Sequence, residues 1–186
     1  MSSALYTAEL AATRGAGIAV YVSHPIPHQP AQSDFIDSLH RVLMTRGLMP
    51  CTISAVDSLQ TSLLATIRSR IVESSGLIVV AFRKMWVEQG MIRGDSQDAT
   101  LPAVEISRSW LTSPYCQIEP AMAYQLSLPI MVLREHGILP EGFLDHAANV
   151  LRAPEIDLHD NSVNYFRLPS WTRTLDKCET LVRRRI

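Results

Sequence analysis

The chain has 186 residues, of which 47% are hydrophobic and 19% are charged, and these values are typical of one globular domain with a sizeable core. Seventeen basic against eighteen acidic side chains give a net charge of -1, which argues against non-specific binding to nucleic acid or to an anionic membrane. The sequence has neither the roughly 18-residue apolar run of a membrane span nor the basic leader and apolar core of a signal peptide. We therefore expect a cytoplasmic protein that binds neither nucleic acid nor membrane.

The cysteines and histidines show no pattern of a disulfide framework or a metal site. The cysteines are odd in number, far apart and without a CxxC or Cys/His spacing. His24 and His28 are four residues apart, but Pro25 and Pro27 exclude the helix that would align their rings. We expect no metal ion. Three cysteines are expected to be buried thiols: Cys51, Cys116 and Cys178.

The first elements along the chain alternate between strand and helix. Residues 18–22 form a β-branched run bounded by turn residues, which predicts a buried strand. Apolar residues then recur at helical spacing, predicting a helix with Ser33 as its N-cap and Gly47 at its C-terminus. Residues 49–53 predict a second, outer strand, because Pro50 cannot donate a ladder hydrogen bond.

The middle of the chain contains the clearest strand. A second helix is predicted to begin at Asp57 or Ser58 and to end near Gly76. Residues 77–82 are apolar at every position, which predicts a central parallel strand covered on both faces. The less regular stretch 83–112 is interpreted as an insertion with one short helix.

The remaining segments continue the alternation. Residues 113–124 predict a helix, residues 128–133 a fourth strand and residues 155–158 a fifth. Residues 170–185 predict a closing helix. Strands that alternate with helices in this way predict an α/β fold, a doubly wound five-stranded parallel sheet in a single domain over residues 1–186, with its core at 17–160.

Ligands of doubly wound sheets bind beyond the carboxyl ends of the strands. The sequence has neither GxGxxG nor GxxxxGK[ST], so neither a standard dinucleotide fingerprint nor a P-loop is supported. The loops that follow the first four predicted strands are therefore the candidate binding segments: residues 23–32, 54–58, 83–112 and those from 134 onward.

The densest group of candidate side chains is Ser113-Pro-Tyr-Cys-Gln-Ile-Glu119. On a helix that begins at Ser113, Tyr115 and Glu119 are four residues apart and share a face. A carboxylate in a strand-end cleft beside an aromatic ring can hold ribose hydroxyls and stabilise the positive charge that develops on a sugar as its base leaves. A solvated helix glutamate beside a packing tyrosine fits the same spacing, so the residue types alone leave both interpretations open.

Three segments resemble the conserved boxes of TIR domains. Val20-Tyr-Val-Ser-His24 resembles the first box, an apolar strand that ends in an aromatic residue, a hydrophobic residue and serine. Residues 71–82 resemble the second TIR helix and third strand. The Ser113 to Glu119 segment resembles the pattern of serine, any residue, aromatic, cysteine, two residues and glutamate. The resemblance extends from residue 17 to about residue 135, and its last box is the most specific.

The resemblance implies a flavodoxin-like arrangement and, as in enzymatic TIR domains, cleavage of NAD between nicotinamide and ribose, by hydrolysis or cyclisation. NAD is then the substrate and no further cofactor is implied. The matching positions make Glu119 the catalytic carboxylate and place Ser23, His24 and Tyr115 along its cleft. The resemblance extends to Thoeris-type bacterial proteins, which implies a role in antiphage defence and a homo-oligomer or a defence-system partner protein.

Two cations are candidate ligands for the diphosphate of such a nucleotide. Arg83 and Lys84 follow the third predicted strand at its carboxyl end, where they can meet phosphate oxygens. Ordinary surface cations occupy such positions equally often.

A second resemblance keeps the substrate open. Nucleoside 2-deoxyribosyltransferases and related nucleotide hydrolases also place a glutamate before an alanine-rich helix, as in Glu119-Pro-Ala-Met-Ala-Tyr-Gln-Leu126. Their glycine-rich lead-in is absent here, which favours the TIR-like interpretation. Both families act on an N-glycosidic bond.

Two features depart from the TIR pattern. Pro120 directly follows Glu119, so the helix either kinks there or begins at Glu119 with the carboxylate as its N-cap. The insertion 83–112 is longer than compact α/β loops usually are. Both departures leave open a non-catalytic interaction or sensing module.

Overall fold

The computed structural model describes residues 17–53, 62–146, 148–159 and 164–186 of the chain. These residues contain seven strands: β1 (Ile18–Ser23), β2 (Leu48–Cys51), β3 (Leu77–Ala81), β4 (Met85–Ile92), β5 (Val104–Leu111), β6 (Ile130–Arg134) and β7 (Leu151–Arg152). Five of them form one sheet in the order β2-β1-β3-β6-β7, and every neighbouring pair is parallel. The predicted single α/β domain with a flavodoxin-like parallel sheet is confirmed.

Helices cover both faces of this sheet, which is why its central strands are apolar throughout. Two helices, α1 (Pro30–Thr45) and α4 (Pro169–Arg183), pack on the face that carries Val20 and Val22. The other two, α2 (Leu63–Val72) and α3 (Tyr115–Gln125), pack on the opposite face, to which Tyr21 belongs. Successive strand residues point to opposite faces, so β1 divides its side chains between the two cores.

The first helix begins earlier than its spacing predicts. Its N-cap is Gln29 and Pro30 is in the first turn, so the prediction of Ser33 as N-cap is wrong. Proline is favoured in this position because the first turn has no use for its missing N–H. The C-terminus is as predicted, since Gly47 has a φ of 69° and donates its N–H to Met44 O at 3.0 Å.

The insertion is a β-ribbon, and the predicted short helix is wrong. Strands β4 and β5 pair antiparallel from Met85↔Leu111 to Ile92↔Val104. The base of the ribbon contacts the loop after β6, where Trp110 N–H donates to Gly137 O at 3.1 Å. A helix does not form in this segment because its backbone groups pair between two antiparallel strands instead.

The fifth sheet strand is also displaced from its prediction. The strand that pairs with β6 is the two-residue β7, in register Met131↔Leu151, and the predicted strand 155–158 contributes only an isolated bridge, Glu135↔Ile156. A two-residue strand has no periodicity for a sequence to reveal.

The other helices form where they are predicted, but α2 is shorter than its prediction, because Ser62 is its N-cap and the helix begins at Leu63. The last helix begins one residue before its predicted start. The predicted start of α2 at Asp57 or Ser58 lies outside the described residues. Among the described helices, none combines the length and the apolar character needed to cross a membrane.

Candidate functional site

The candidate site lies at the carboxyl end of β1, where the sheet order changes direction. The chain passes from β1 outward to β2 and then returns to β3 on the other side of β1. Connections that leave in opposite directions open a crevice at this switch point, which is the usual ligand position in doubly wound sheets. Tyr21 and Ser23 lie on the same face of β1 at this end.

The helix α3 places Glu119 against this end of β1. Its N-terminal turn is held by Ser113, whose carbonyl accepts the Cys116 N–H at 3.0 Å. Cys116, Glu119 and Ala123 follow one another at three- and four-residue spacing, and all three are buried against the sheet. Glu119 therefore belongs to the buried face of the helix, and the interpretation of a solvated helix glutamate is wrong.

Pro120 lies inside α3, which settles the two alternatives for its start. The helix begins at Tyr115, so Glu119 is not an N-cap. A proline at position 120 leaves the carbonyl of Cys116 without its usual helical donor. The helical turn that carries the Glu119 carboxylate therefore lacks one backbone hydrogen bond, which destabilises it.

The surroundings of Glu119 are polar but uncharged. Its side chain is only 6% exposed, and Tyr21 Oη donates a hydrogen bond to its Oε1 at 3.2 Å. Burial raises the pKa of Glu119, while the hydroxyls of Ser23 and Tyr21 counteract part of that rise by stabilising the carboxylate. Burial and the Glu119 charge together raise the pKa of Tyr21. Among the described residues, no cationic side chain forms an ion pair with Glu119.

A buried carboxylate without a cation interacts strongly with positive charge that appears beside it, because little water screens the interaction. Such a group is suited to stabilise a cationic transition state. In its protonated form it can donate one hydrogen bond or transfer a proton.

Ser23 and His24 occupy the end of β1 but point to different sides. Ser23 is on the Glu119 side and is 1% exposed, and its hydroxyl stabilises the Glu119 carboxylate. His24 lies toward α1, because its charge interacts with that of His40 in that helix. Burial lowers the pKa of His24. The structure thus brings Ser23 together with Glu119, and a place for His24 in the same cleft stays a prediction.

Arg83 lies at the carboxyl end of β3, where Glu135 balances its charge. Its backbone N–H donates to Glu135 Oε2 at 2.8 Å, its Nε lies 3.6 Å from Glu135 Oε1, and the same Nε donates to His136 O at 2.7 Å. The guanidinium also lies over the Trp110 ring, 5.8 Å from its centroid. These contacts hold β3 beside β6, and a contact of Arg83 with a diphosphate stays a prediction.

Lys84, Tyr115 and Cys116 surround the first turn of α3. Lys84 is exposed, and its charge reaches the Cys116 thiol. Tyr115 is half-buried against the core on the Glu119 side of the sheet. Burial raises the pKa of Cys116 to about 12, so this thiol packs and stays protonated, as expected of a buried cysteine.

Two residues at this edge were missed by the sequence analysis. Tyr21 was treated only as a strand residue, although its even spacing from Ser23 places both on one face. Glu135, 2% exposed, directly follows the apolar strand β6. The signal that could have identified Glu135 is its position, a charged residue immediately after a buried strand.

The cavity described in the structure lies at the opposite edge of the sheet. It has a volume of about 500 Å³ and opens at the start of β6 and β7, so it does not include Glu119. Nine residues line it: Tyr124, Ser127, Leu128, Pro129, Ile130, Asn149, Val150, Leu151 and Leu181.

Neither a metal site among the residues that the structure describes nor a relationship to a known protein was found for this chain. Within the described ranges, His, Cys, Asp and Glu side chains form no group of three that can hold a metal ion. No known family and no curated protein matches the chain.

Proposed function

We propose that this protein is a TIR-like N-glycosidase that cleaves NAD between nicotinamide and ribose, with Glu119 as the catalytic carboxylate. The observation that carries the proposal is the position of Glu119: a buried carboxylate that has no cationic partner among the described residues and is hydrogen-bonded to Tyr21 at the switch point of the sheet. The TIR-like box from Ser113 to Glu119 supplies the carboxylate, and β1 supplies the hydroxyls beside it.

The chemistry follows from the charge of the bond that breaks. As nicotinamide leaves, the ribose acquires oxocarbenium character, and a nearby carboxylate lowers the energy of that state. The bound base is itself cationic in NAD, so the same carboxylate also attracts the substrate. The Tyr21 hydroxyl holds the Glu119 carboxylate in place, and its hydrogen bond favours the ionised form by opposing the rise in pKa that burial causes. Water as the acceptor gives hydrolysis, and an atom of the same nucleotide gives cyclisation to an ADP-ribose-type product.

The biological setting is part of the proposal. The proposed setting is bacterial antiphage defence, with a nucleotide product as the signal, and its support is the resemblance of the sequence to Thoeris-type proteins. A homo-oligomer or a defence-system partner protein would provide the activation.

The decisive substitution is Glu119→Gln, because it preserves shape and removes the charge. We expect nicotinamide release from NAD to fall by at least about a hundredfold, since losing one transition-state stabilising group costs a factor of this order. Chromatography of nicotinamide and of the sugar product measures the effect. Glu73→Gln is the control, because Glu73 is exposed at the end of α2 and its partners are the nearby Ser69 hydroxyl and Arg70 on the same helix. Undiminished release by Glu119→Gln would refute the assignment of Glu119.

The same incubation tests the transferase-like alternative. A deoxyribosyltransferase would exchange the base of a deoxynucleoside when a second free base is added and would leave NAD intact. If base exchange depends on Glu119 and no nicotinamide is released, the substrate is a deoxynucleoside and the NAD proposal is wrong.

A non-catalytic interaction module is favoured by two observations. Glu119 is shielded from solvent, and the ribbon exposes apolar side chains, among them Met85, Trp86 and Met91. Ligand binding raises thermal stability by mass action. No thermal shift with NAD, ADP-ribose, deoxynucleotides or cyclic nucleotides, together with no product, supports the module.

A further inference from the structure

The ribbon of β4 and β5 has one edge that the rest of the chain covers and one edge that is open. At the β5 edge, the Trp110 N–H donates to Gly137 O at 3.1 Å, and the Leu139 N–H donates to Trp110 O at 2.9 Å. At the β4 edge, no backbone hydrogen bond joins another segment of the described residues. A strand with an open edge is a template for pairing with a further strand.

The covered edge shows which backbone groups of β4 point outward. Both backbone groups of Trp110 are directed away from β4, so Trp86 and Trp110 form a non-hydrogen-bonded pair. The ladder keeps this register as far as Ile92↔Val104, and successive pairs alternate between the two kinds. The outward N–H and C=O groups therefore belong to alternate residues of β4: Trp86, Glu88, Gly90 and Ile92.

The side chains of β4 are also poorly covered. Met85 is 58% exposed, Met91 is 59% exposed and Trp86 is 42% exposed. A two-stranded ribbon is marginally stable by itself in water and gains stability from a third strand or a packed face. Exposed apolar side chains along an open edge therefore indicate a strand that pairs with a partner.

The sequence of β4 is complementary to itself. Two copies of a strand related by a twofold axis perpendicular to the sheet run antiparallel, and each residue faces one on the same side of the pleat. The longest overlaps have the axis at Glu88 or at Gln89. An axis at Glu88 opposes this carboxylate to its own copy, which is unfavourable.

An axis at Gln89 removes that repulsion, because Glu88 then faces Gly90 of the second copy. The outward backbone groups of β4 meet in hydrogen-bonded pairs, each of which exchanges two bonds. This register also forms two kinds of apolar pair across the axis: Val87 with Met91, and Trp86 with Ile92.

We infer that the protein forms a homodimer in which two β4 strands pair antiparallel about a twofold axis at Gln89 and join the two ribbons into one sheet. The interface belongs to the insertion, which the TIR pattern lacks, so the resemblance does not supply it. The β4 residues are not assigned to the proposed reaction at Glu119, and the dimer is independent of that reaction.

A single cysteine at the axis tests the register. Gln89 forms a hydrogen-bonded pair with Ser107 inside the ribbon, so it faces its own copy in a non-hydrogen-bonded pair, with about 4.5 Å between Cα atoms. This spacing suits a disulfide. The full-length Gln89→Cys variant should therefore give a covalent dimer on a non-reducing gel after air oxidation catalysed by copper phenanthroline.

Glu105→Cys is the control for this cross-link. Glu105 lies on β5, so both β4 strands separate it from its copy in the dimer. It should form no more covalent dimer than the parent chain, which carries the natural cysteines.

Charge substitutions test the same register in solution. Because the twofold axis repeats each contact, Val87→Glu or Met91→Lys alone should raise the dimer dissociation constant about tenfold, measured by sedimentation equilibrium. The two substitutions combined place opposite charges across the axis and should restore the dimer. Within one strand these positions are about 14 Å apart, so their charges cannot rescue the ribbon of a single chain. Leu64→Lys, at an exposed apolar residue of α2, is the control and should dimerise as the parent chain does.

The outcomes separate this inference from the proposed function. If the parent chain sediments as a monomer at every protein concentration, the inference is wrong. A dimer that Gln89→Cys fails to trap, or that the combined charge variant fails to restore, also overturns it. A trapped dimer together with restored association supports the interface whether or not the protein cleaves NAD.

Discussion

Two glutamates lie buried at the carboxyl edge of the same sheet and differ in what balances their charge. Glu135 is 2% exposed and has both the backbone N–H and the guanidinium of Arg83 as partners. Glu119 is 6% exposed and has a tyrosine hydroxyl. A buried charge with its cation holds structure together, whereas a buried charge without one destabilises the fold. The comparison identifies Glu119 as the carboxylate whose cost calls for a functional reason.

The largest expected effect is on Glu135. Glu135→Gln keeps an acceptor for the Arg83 N–H but leaves the guanidinium, whose side chain is 19% exposed, without its counter-charge, so the free energy of unfolding should fall by about 3 kcal/mol. Denaturant unfolding measures it, with Glu73→Gln as an exposed control that should change by less than about 0.5 kcal/mol. If Glu135→Gln lowers the free energy of unfolding no more than Glu73→Gln does, the structural role of the Glu135 and Arg83 pair is refuted.

A smaller effect is expected for Tyr21→Phe. The carboxylate of Glu119 loses a hydrogen bond, so the free energy of unfolding should fall by about 2 kcal/mol at about pH 8. The pKa of Glu119 rises further, and the pH below which nicotinamide release declines should move upward. The same substitution in the Glu119→Gln background should cost less, because the charged acceptor is already gone. Equal costs in both backgrounds would contradict the coupling.

The smallest expected effect has the opposite sign. The unfolded chain gives Glu119 its ordinary pKa and the folded protein a raised one, so the folded state holds more protons between the two values. Stability therefore falls as the pH rises through that window and remains lower above it. Glu119→Gln escapes this loss and should be slightly more stable than the parent at about pH 8, with the gain shrinking as the pH falls toward the ordinary pKa of a glutamate. Thermal unfolding across this range is the measurement, and a destabilised variant at about pH 8 would show that Glu119 serves the fold.

Local signals in the sequence were sufficient for the first four strands of the sheet and for part of the site. The all-apolar run of β3 predicts a central strand, because burial on both faces admits only apolar residues. The glycine after α1 predicts the end of that helix, because a positive φ favours glycine. The segment from Ser113 to Glu119 likewise singled out Glu119 as a candidate. The ribbon and β7 escaped, since a long insertion and a two-residue strand carry no helical or strand period that is specific to them.

The sequence by itself determined that strands and helices alternate around a parallel sheet, and that a carboxylate lies near a strand end. Only the tertiary structure decided that this carboxylate is buried against Tyr21 and that Arg83 pairs with Glu135. Element type follows from side-chain spacing along one segment, whereas the charge state and partner of a side chain depend on residues about a hundred positions away that the parallel sheet brings into contact.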